Sequence, residues 1–282
     1  MVFIKLLPIL GEALVRDDII EIIKYTKSKC RCSLLTNGVL LTEDICKQLV
    51  ESGIDNIVIS IDGSQELHNK IRNNPKAYQK SIEGVKLLQK YKKELNLRKP
   101  QIHFNTVIMP ENIDELSKIA ETAGELNIGS AVFQTLDVST NRSGLSLQDC
   151  ELSKYTNFVY KDVPSISAGK ISANFAKIRK TAKVASLKVT FVPDTYSDDD
   201  FINYYFAKLA TEKFYCKTPW NLSYISANGD MYPCFNYKIG NIRENKISKL
   251  WNNEKYKTFR KAIKKNSILP ECIGCCGIKK GK

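Results

Sequence analysis

Hydrophobic and polar positions in the first two-thirds of the chain alternate between strand-like and helix-like segments. Apolar runs of strand length are followed, after short connections, by segments with apolar residues at helical spacing. The predicted strands are 2–10, 33–38, 56–63, 101–109, 130–136 and 187–193. The predicted helices are 14–27, 42–53, 77–94, 112–127, 172–183 and a segment from 196 to about 210. This alternation predicts parallel strands joined by right-handed helical crossovers.

The number of strand–helix units limits the fold class. Five or six units fit before the pattern changes near residue 195, whereas a complete eightfold barrel takes about 250 residues. We therefore expect an α/β fold built on a partial (β/α) TIM-like barrel. The last part of the chain has short strands, aromatic residues, patterned cysteines and Lys-rich helices over 246–265. These differences predict a barrel domain over 1–210 and a small Cys-rich domain over 211–282.

Apolar runs and net charge indicate where the protein is expected to be and which partners it is expected to bind. No apolar run reaches the roughly 20 residues of a membrane helix, and the start of the chain lacks the features of a signal peptide. We therefore expect a cytoplasmic protein without a membrane partner. The net charge is +13, but the lysines are spread along the chain. This spread favours a solvated, Lys-rich surface. Nucleic-acid binding, which would depend strongly on salt, ranks third among the functions that we consider.

Four of the nine cysteines form a pattern that is typical of a thiolate site. They are Cys216, Cys234, Cys272 and Cys275. The first two are expected at either end of a hairpin that turns at Asn228-Gly229, and Gly274 gives the C-x-x-C pair a tight turn. Four thiolates suit zinc or an iron–sulfur cluster, and the spacing alone does not distinguish the two.

Further motifs accompany these cysteines in a specific order. They are Pro219-Trp220, Gly229, Tyr232-Pro233, Ile239-Gly240-Asn241-Ile242, Ile247 to Trp251, Tyr256, and Phe259-Arg260. This order resembles the SPASM/twitch extension of radical S-adenosylmethionine (SAM) enzymes. The resemblance implies one auxiliary [4Fe–4S] cluster, of the shorter twitch type, held by the four patterned cysteines.

Motifs in the first half of the chain resemble the core barrel of the same family. Thr36-Asn37-Gly38 and Ser60-Ile61-Asp62-Gly63 each end a predicted strand. Gly11 and Glu12 match part of the family's G-G-E-P motif. The resemblance implies that Gly11, Glu12, Ser60 and Asp62 bind SAM, with Glu12 accepting hydrogen bonds from its ammonium group. The carboxyl ends of barrel strands are also where ligands bind.

Simpler interpretations of the same residues remain open. Asp62 and Gly63 also suit a plain strand-to-loop turn. His68 is expected to be a structural histidine with satisfied hydrogen bonds. Arg72 can pair with a carboxylate, although a surface position is more common for arginine.

The family's signature loop, C-x3-C-x2-C, has no match in the chain, and Cys30, Cys32 and Cys46 do not reproduce its spacing. In the family its three thiolates hold the [4Fe–4S] cluster that reduces SAM and releases a radical. The cofactor carries the hard chemical step, so we assign no catalytic residue. Either the chain is truncated or it is a degenerate member of the family. DNA upstream of Met1 would distinguish the two.

Two functions follow from this resemblance. In complete form, the protein is expected to modify a peptide or small metabolite by radical chemistry derived from SAM. The alternative is a non-catalytic iron–sulfur or zinc module that recognises a peptide or a partner protein.

Overall fold

The structure is a computed structural model that describes residues 3–6, 11–137, 163–234, 237–269 and 272–281. Its strands are β1 (Phe3–Leu6), β2 (Arg31–Thr36), β3 (Asn56–Ser60), β4 (Gln101–Ile108), β5 (Ser130–Thr135), β6 (Lys188–Val192), β7 (Phe214–Cys216), β8 (Tyr224–Ile225), β9 (Asp230–Tyr232), β10 (Gly240–Asn241) and β11 (Ile278–Lys280). Its α-helices are α1 (Ile19–Lys27), α2 (Glu43–Glu51), α3 (Gln65–Ile71), α4 (Ala77–Glu94), α5 (Leu116–Glu125), α6 (Ala168–Val184), α7 (Asp198–Tyr205), α8 (Thr218–Asn221), α9 (Ile247–Leu250) and α10 (Glu254–Asn266). The loop expected at 141–144 lies outside the described residues.

Strands β1 to β6 form one six-stranded sheet in chain order. The pairs β1–β2, β2–β3 and β3–β4 are parallel, with Ile59 opposite both Thr36 and Phe104. This register brings the carboxyl ends of β2, β3 and β4 to one edge of the sheet. The parallel sheet alternating with helices confirms the expected partial barrel.

The two faces of this sheet differ in burial. In β4, Ile102 and Phe104 are buried, whereas His103 and Asn105 are half-buried. The buried face lies under the helices, since the side chains of Ile59 and Ser81 of α4 both approach Gly38. The half-buried face is the interior of an open barrel, so polar residues on it remain accessible to a ligand.

Local sequence signals explain most of the helix boundaries. Thr42 caps α2 by accepting the N–H of Ile45, and Gly53 follows its end with φ of +67°. Helix α4 has the predicted bounds. Helix α1 begins later than predicted, because Ala13–Val15 form a short 3-10 helix capped by Glu12. Another 3-10 helix, Ile113–Glu115, precedes α5.

The chain divides into two compact units. Unit 1 comprises 1–134 and 169–191, and unit 2 comprises 135–168 and 192–282. Unit 2 contains a three-stranded sheet ordered β10-β9-β8 and the strand pair β7–β11. The domain boundary near 210 lies where the sequence motifs change, whereas the two units are defined by compactness. The boundary therefore stays a prediction. None of the described helices is long and apolar enough to cross a membrane.

A buried carboxylate stabilises the amino end of the parallel sheet in unit 1. Asp55 is 2% exposed, accepts the N–H of Cys32 at 2.9 Å, and pairs with Lys27 at 2.8 Å and Lys99 at 2.5 Å. Burial favours the neutral acid, but the hydrogen bonds of Lys27, Lys99 and Cys32 outweigh it and hold the pKa of Asp55 below its usual range.

We expect Asp55→Asn to lower the free energy of unfolding by about 2 kcal/mol at pH 7, since it leaves two partly exposed lysines without their counter-charge. Because the pKa of Asp55 is depressed in the folded protein, its stabilisation is present at neutral pH and is lost as pH falls. Urea unfolding at neutral and acidic pH measures both effects. Asp18→Asn, in an exposed pair with Arg16, is the control and should change little. Equal losses in the two variants would contradict the prediction.

Candidate functional site

Glu12 lies beside the carboxyl edge of the sheet. Its Oε2 accepts the N–H of Asn37 at 2.7 Å, and its Oε1 accepts the N–H of Leu14 at 3.2 Å. A Cβ at Gly11 would meet no atom of the described residues within 4 Å, so none of them blocks the backbone beside Glu12. Each carboxylate oxygen has room for a second hydrogen bond. Glu12 therefore fixes the loop after β2 and can still accept from a ligand.

The loop after β2 is held by side-chain contacts with its backbone. Ser81 donates its hydroxyl hydrogen to the carbonyl of Asn37 at 2.8 Å, and the N–H of Gly38 donates to Thr36 Oγ1 at 3.0 Å. Gly38 has φ of +82°, and a Cβ there would lie 2.6 Å from Ser81 Oγ. Glycine is therefore needed both for the backbone conformation and for the close approach of α4.

Ser60 and Asp62 have different surroundings at the end of β3. Ser60 lies on the half-buried face, and its hydroxyl makes no hydrogen bond within the described residues. Asp62 is 2% exposed, and its Oδ2 accepts a hydrogen bond from Arg72 Nε at 2.7 Å. The carboxylate of Asp62 is thus engaged by Arg72, whereas none of the described residues engages the hydroxyl of Ser60.

His68 and Arg72 connect α3 to this strand end. The N–H of Asp62 donates to His68 Nδ1 at 3.1 Å, and His68 is fully buried. Its Nε2 has no hydrogen-bond partner within the described residues, so the expected histidine is structural but only half satisfied. Arg72 keeps 35% of its side chain exposed while it pairs with Asp62. Arg72 therefore pairs with a carboxylate and also lies partly at the surface, as the two interpretations of the sequence expected.

Sequence reasoning missed Asn112 at the next strand end. This residue is fully buried. Its Nδ2 donates to the carbonyls of Asp62 at 2.9 Å and Val107 at 2.8 Å, and its Oδ1 accepts the N–H of Met109 at 2.8 Å. Asn112 therefore links the loops that follow β3 and β4. Its sequence position indicated only the start of a helix.

Unit 2 contains the four patterned cysteines. Asn228-Gly229 turns the hairpin β8–β9 as predicted, with φ of +86° at Gly229. Cys216, however, is not at an end of this hairpin, which corrects the expectation from the sequence. It ends β7 and pairs with Ile278 of β11, because α8, which contains Pro219, separates β7 from β8.

Three of these thiols contact one apolar core. Cys216, Cys234 and Cys272 are half-buried and pack against it. The core residues are Met231, Tyr237, Ile239, Leu250, Tyr256, Phe259, Ile263 and Leu269. The fourth cysteine, Cys275, lies beside Cys272, since its N–H donates to the carbonyl of Cys272 at 3.0 Å. The four residues therefore lie around one region of unit 2.

The sulfur atoms have partners typical of thiolate ligands. The N–H of Leu269 points to Cys272 Sγ and that of Gly277 to Cys275 Sγ, each at 3.4 Å. The Cys275 thiol donates a hydrogen bond to Cys276, which together with burial raises the pKa of Cys275 and favours the neutral thiol until a metal displaces its proton. In the described part of the chain, no three His, Cys, Asp or Glu side chains converge as a group that could hold a metal ion. The donor set fits a thiolate-bound cluster, while the four sulfurs surround a region rather than meet at a point.

Arg260 connects the segments around the cysteines. Its Nε donates to the carbonyl of Pro219 at 2.9 Å, and its Nη1 donates to the carbonyl of Trp251 at 3.0 Å. The guanidinium carbon lies 3.9 Å from the centre of the Tyr256 ring, which adds a cation–π contact. Arg260 therefore ties the turn after Cys216 to α10, whose buried face forms part of the core beside the thiols.

Gly240 and Asn241 support the hairpin next to Cys234. A Cβ at Gly240 would lie 2.5 Å from the side chain of Leu250, so glycine allows the strand to approach α9. Asn241 Nδ2 donates to the carbonyl of Asn228 at 3.0 Å and to Asp230 Oδ1 at 2.8 Å. The motifs between the cysteines thus build the scaffold that presents the thiols.

Comparison with protein families gives two matches. Residues 9–123 match the radical SAM superfamily, and residues 216–276 match SPASM, an iron–sulfur cluster-binding domain. The second match begins at Cys216 and includes the other three patterned cysteines. The chain therefore contains a radical SAM superfamily domain and a C-terminal SPASM domain.

Individual relatives agree with this assignment. The chain is 26% identical over 281 residues to the AdoMet-dependent heme synthase of Methanosarcina barkeri, covering 96% of this chain and 73% of that protein. It is 24% identical to the tungsten-containing aldehyde ferredoxin oxidoreductase cofactor-modifying protein of Pyrococcus furiosus, covering 94% and 71%. The structure of Streptococcus suis SuiB bound to its precursor peptide SuiA matches with a TM-score of 0.62 at 15% identity. That match covers 95% of this chain but only 59% of SuiB, and it shows the fold alone.

We expect Gly38→Ala to destabilise the protein more than Gly53→Ala. Both glycines have positive φ, so each alanine pays a backbone cost of about 1–2 kcal/mol. Only Gly38 has a close neighbour, so its alanine adds overpacking of about 1–3 kcal/mol against Ser81. Thermal unfolding of the two variants measures the difference. Equal losses would show that the approach of α4 does not constrain this loop.

Proposed function

We propose that this chain binds an auxiliary [4Fe–4S] cluster through Cys216, Cys234, Cys272 and Cys275. The observation that carries the proposal is the SPASM match over 216–276, in which these cysteines border one region of unit 2. The cluster supplies thiolate-bound iron that can accept or donate one electron. The chain's own residues bury one side of the site, orient the sulfurs and donate N–H groups to two of them.

We also propose a SAM-binding edge in unit 1 formed by Gly11, Glu12, Ser60 and Asp62. Glu12 has acceptor capacity for the ammonium group, Gly11 leaves the approach open, and the hydroxyl of Ser60 is not engaged by described residues. Asp62 acts through Arg72 and the loop beyond it, since its carboxylate is already bound. This division of roles is consistent with ligand binding at the carboxyl ends of parallel strands.

The proposed substrate is a peptide or a small cofactor-like molecule. SuiB binds the precursor peptide SuiA, and the Pyrococcus relative is named as modifying a cofactor. We place the protein in the cytoplasm, where thiols stay reduced, because the proposed cluster needs four reduced cysteines.

A second function is favoured by one specific observation. The 282 residues contain no C-x3-C-x2-C motif, so this polypeptide does not itself supply the thiolates of a SAM-cleaving cluster. A binding module that recognises a peptide or partner protein needs only the SPASM site and its scaffold.

The cluster assignment predicts iron rather than zinc after anaerobic reconstitution. Replacing any of the four cysteines by serine should sharply reduce the bound iron and the visible absorbance, because each loses a thiolate ligand. Metal binding contributes to folding. Cys272→Ala should therefore increase amide hydrogen exchange more in 211–282 than in 11–134.

Cys30→Ser is the matched control, since Cys30 is a half-buried thiol in unit 1 and should leave the iron content unchanged. Zinc without iron in the wild-type chain would refute the cluster assignment. Equal increases in exchange across both regions would argue against a cluster that supports the C-terminal region.

The SAM-binding edge predicts that Ser60→Ala binds SAM about fivefold more weakly, the loss expected for one hydrogen bond of about 1 kcal/mol. Equilibrium dialysis measures the binding, and Ser28→Ala, an exposed serine at the end of α1, is the control. Under reducing conditions we expect no steady formation of 5′-deoxyadenosine by the 282-residue polypeptide. Unchanged binding in Ser60→Ala would contradict the proposed edge, and steady 5′-deoxyadenosine release would contradict the expected lack of SAM cleavage.

A further inference from the structure

The C-x-x-C turn of unit 2 is held by side chains from outside the turn. The N–H of Gly274 donates to Tyr196 Oη at 3.1 Å, and the carbonyl of Gly274 accepts from Thr135 Oγ1 at 2.8 Å. The backbone N–H and carbonyl of Gly274 are thus each held by a side chain that is distant in sequence. This arrangement sets the orientation of the residue that follows, Cys275.

The ring of Tyr204 packs against the same turn. Gly274 has φ of +79°, and a Cβ there would lie 2.5 Å from the Tyr204 ring. The hydroxyl of Tyr204 in turn donates to the carbonyl of Leu136. The backbone of the C-x-x-C turn therefore has little freedom to move away from Tyr196.

The Tyr196 phenol is placed to act as a donor. Its ring is 9% exposed and packs against Phe214, with centroids 5.2 Å apart, and Phe201, with centroids 5.3 Å apart. Its oxygen accepts from Gly274, but its own hydrogen has no acceptor among the described residues. Buried hydroxyl groups rarely lack an acceptor, so this hydrogen needs a partner.

The electrostatic surroundings keep that hydrogen on the phenol. Burial raises the pKa of Tyr196 and outweighs the lowering by the Gly274 N–H, and the Asp200 carboxylate adds to the rise. Tyr196 is therefore a neutral donor at neutral pH, and it contacts the residue directly before Cys275, whose sulfur becomes negative when it binds metal.

We propose that Tyr196 is a positioning residue of the thiol site, whose hydroxyl donates a hydrogen bond to the sulfur of Cys275 when the cluster is bound and so raises the cluster's reduction potential. This inference rests on the proposed cluster function. Hydrogen bonds to the sulfurs are among the factors that set the potential of iron–sulfur clusters. The added electron makes the sulfurs more negative, so a donor stabilises the reduced form more than the oxidised form.

The test is a redox titration of the reconstituted full chain with dithionite, which supplies the one electron that the cluster gains. Tyr196→Phe should lower the equilibrium constant for reduction about tenfold, a shift of about 59 mV to more negative potential. Its iron content should equal that of the wild type. Tyr205→Phe is the control, because Tyr205 is also a buried phenol and accepts the N–H of Leu136 instead of contacting the C-x-x-C turn.

Thr135→Val tests whether anchoring of the turn alone shifts the potential, since it removes the other side-chain hydrogen bond of Gly274 and leaves the Tyr196 phenol in place. Its potential should stay at the wild-type value. An unshifted potential in Tyr196→Phe, or the same shift in Thr135→Val, would overturn the inference and leave the cluster assignment intact. Zinc instead of iron in the wild-type chain would overturn the proposed function and this inference with it.

A measurement on the wild type covers the case in which Tyr196→Phe fails to fold or to bind iron. Electron–nuclear double resonance of the reduced cluster, in H2O and in D2O, should detect an exchangeable proton coupled to the cluster in addition to those of the Leu269 and Gly277 amides. Deuteration of the tyrosine rings alone should leave this signal in place. A spectrum fully explained by the amide protons would overturn the inference.

Discussion

Buried backbone groups must find hydrogen-bond partners, and this constraint shapes both candidate sites. Loops that follow parallel strands have no neighbouring ladder to satisfy them, so side chains take over. Glu12 binds the N–H of Asn37, Ser81 binds its carbonyl, and Asn112 binds the carbonyl of Asp62. Gly274 in unit 2 is held in the same way by Tyr196 and Thr135. The residues that shape each site are therefore largely those that complete its backbone.

The regular elements of unit 1 follow from the sequence because their signals are local. Helix α4 matches its predicted bounds, and α2 has the expected Thr42 cap. Helix α3 was missed, since it is short and follows directly on the S-x-D-G strand end. The partners of Glu12 and Asn112 were not predictable, because they join residues that are far apart in the chain and depend on the register of the sheet.

The candidate sites show a similar limit. The motif spacing predicts four cysteines as ligands, and all four fall within the SPASM match. It did not show that Cys216 pairs with β11 rather than ending the hairpin, because strand pairing across 62 residues leaves no local signal. Ser60 and Asp62 share one motif, yet only the structure shows that Arg72 engages Asp62 while the hydroxyl of Ser60 bonds to none of the described residues. A motif gives the residues of a site but not the direction in which each side chain points.

The thiol site explains why its scaffold is so heavily cross-linked by side chains. Among the described residues, the apolar core beside the thiols contains eight that are buried. This core is small for a site whose cysteines are spread along the chain. Arg260, Asn253 and Asn241 add hydrogen bonds from side chains to backbone carbonyls, which fix segments that have little apolar surface to bury. These contacts position the sulfurs but do not bring them together at one point. A bound cluster would supply the remaining constraint, so that metal binding and the final packing of this core become parts of one equilibrium.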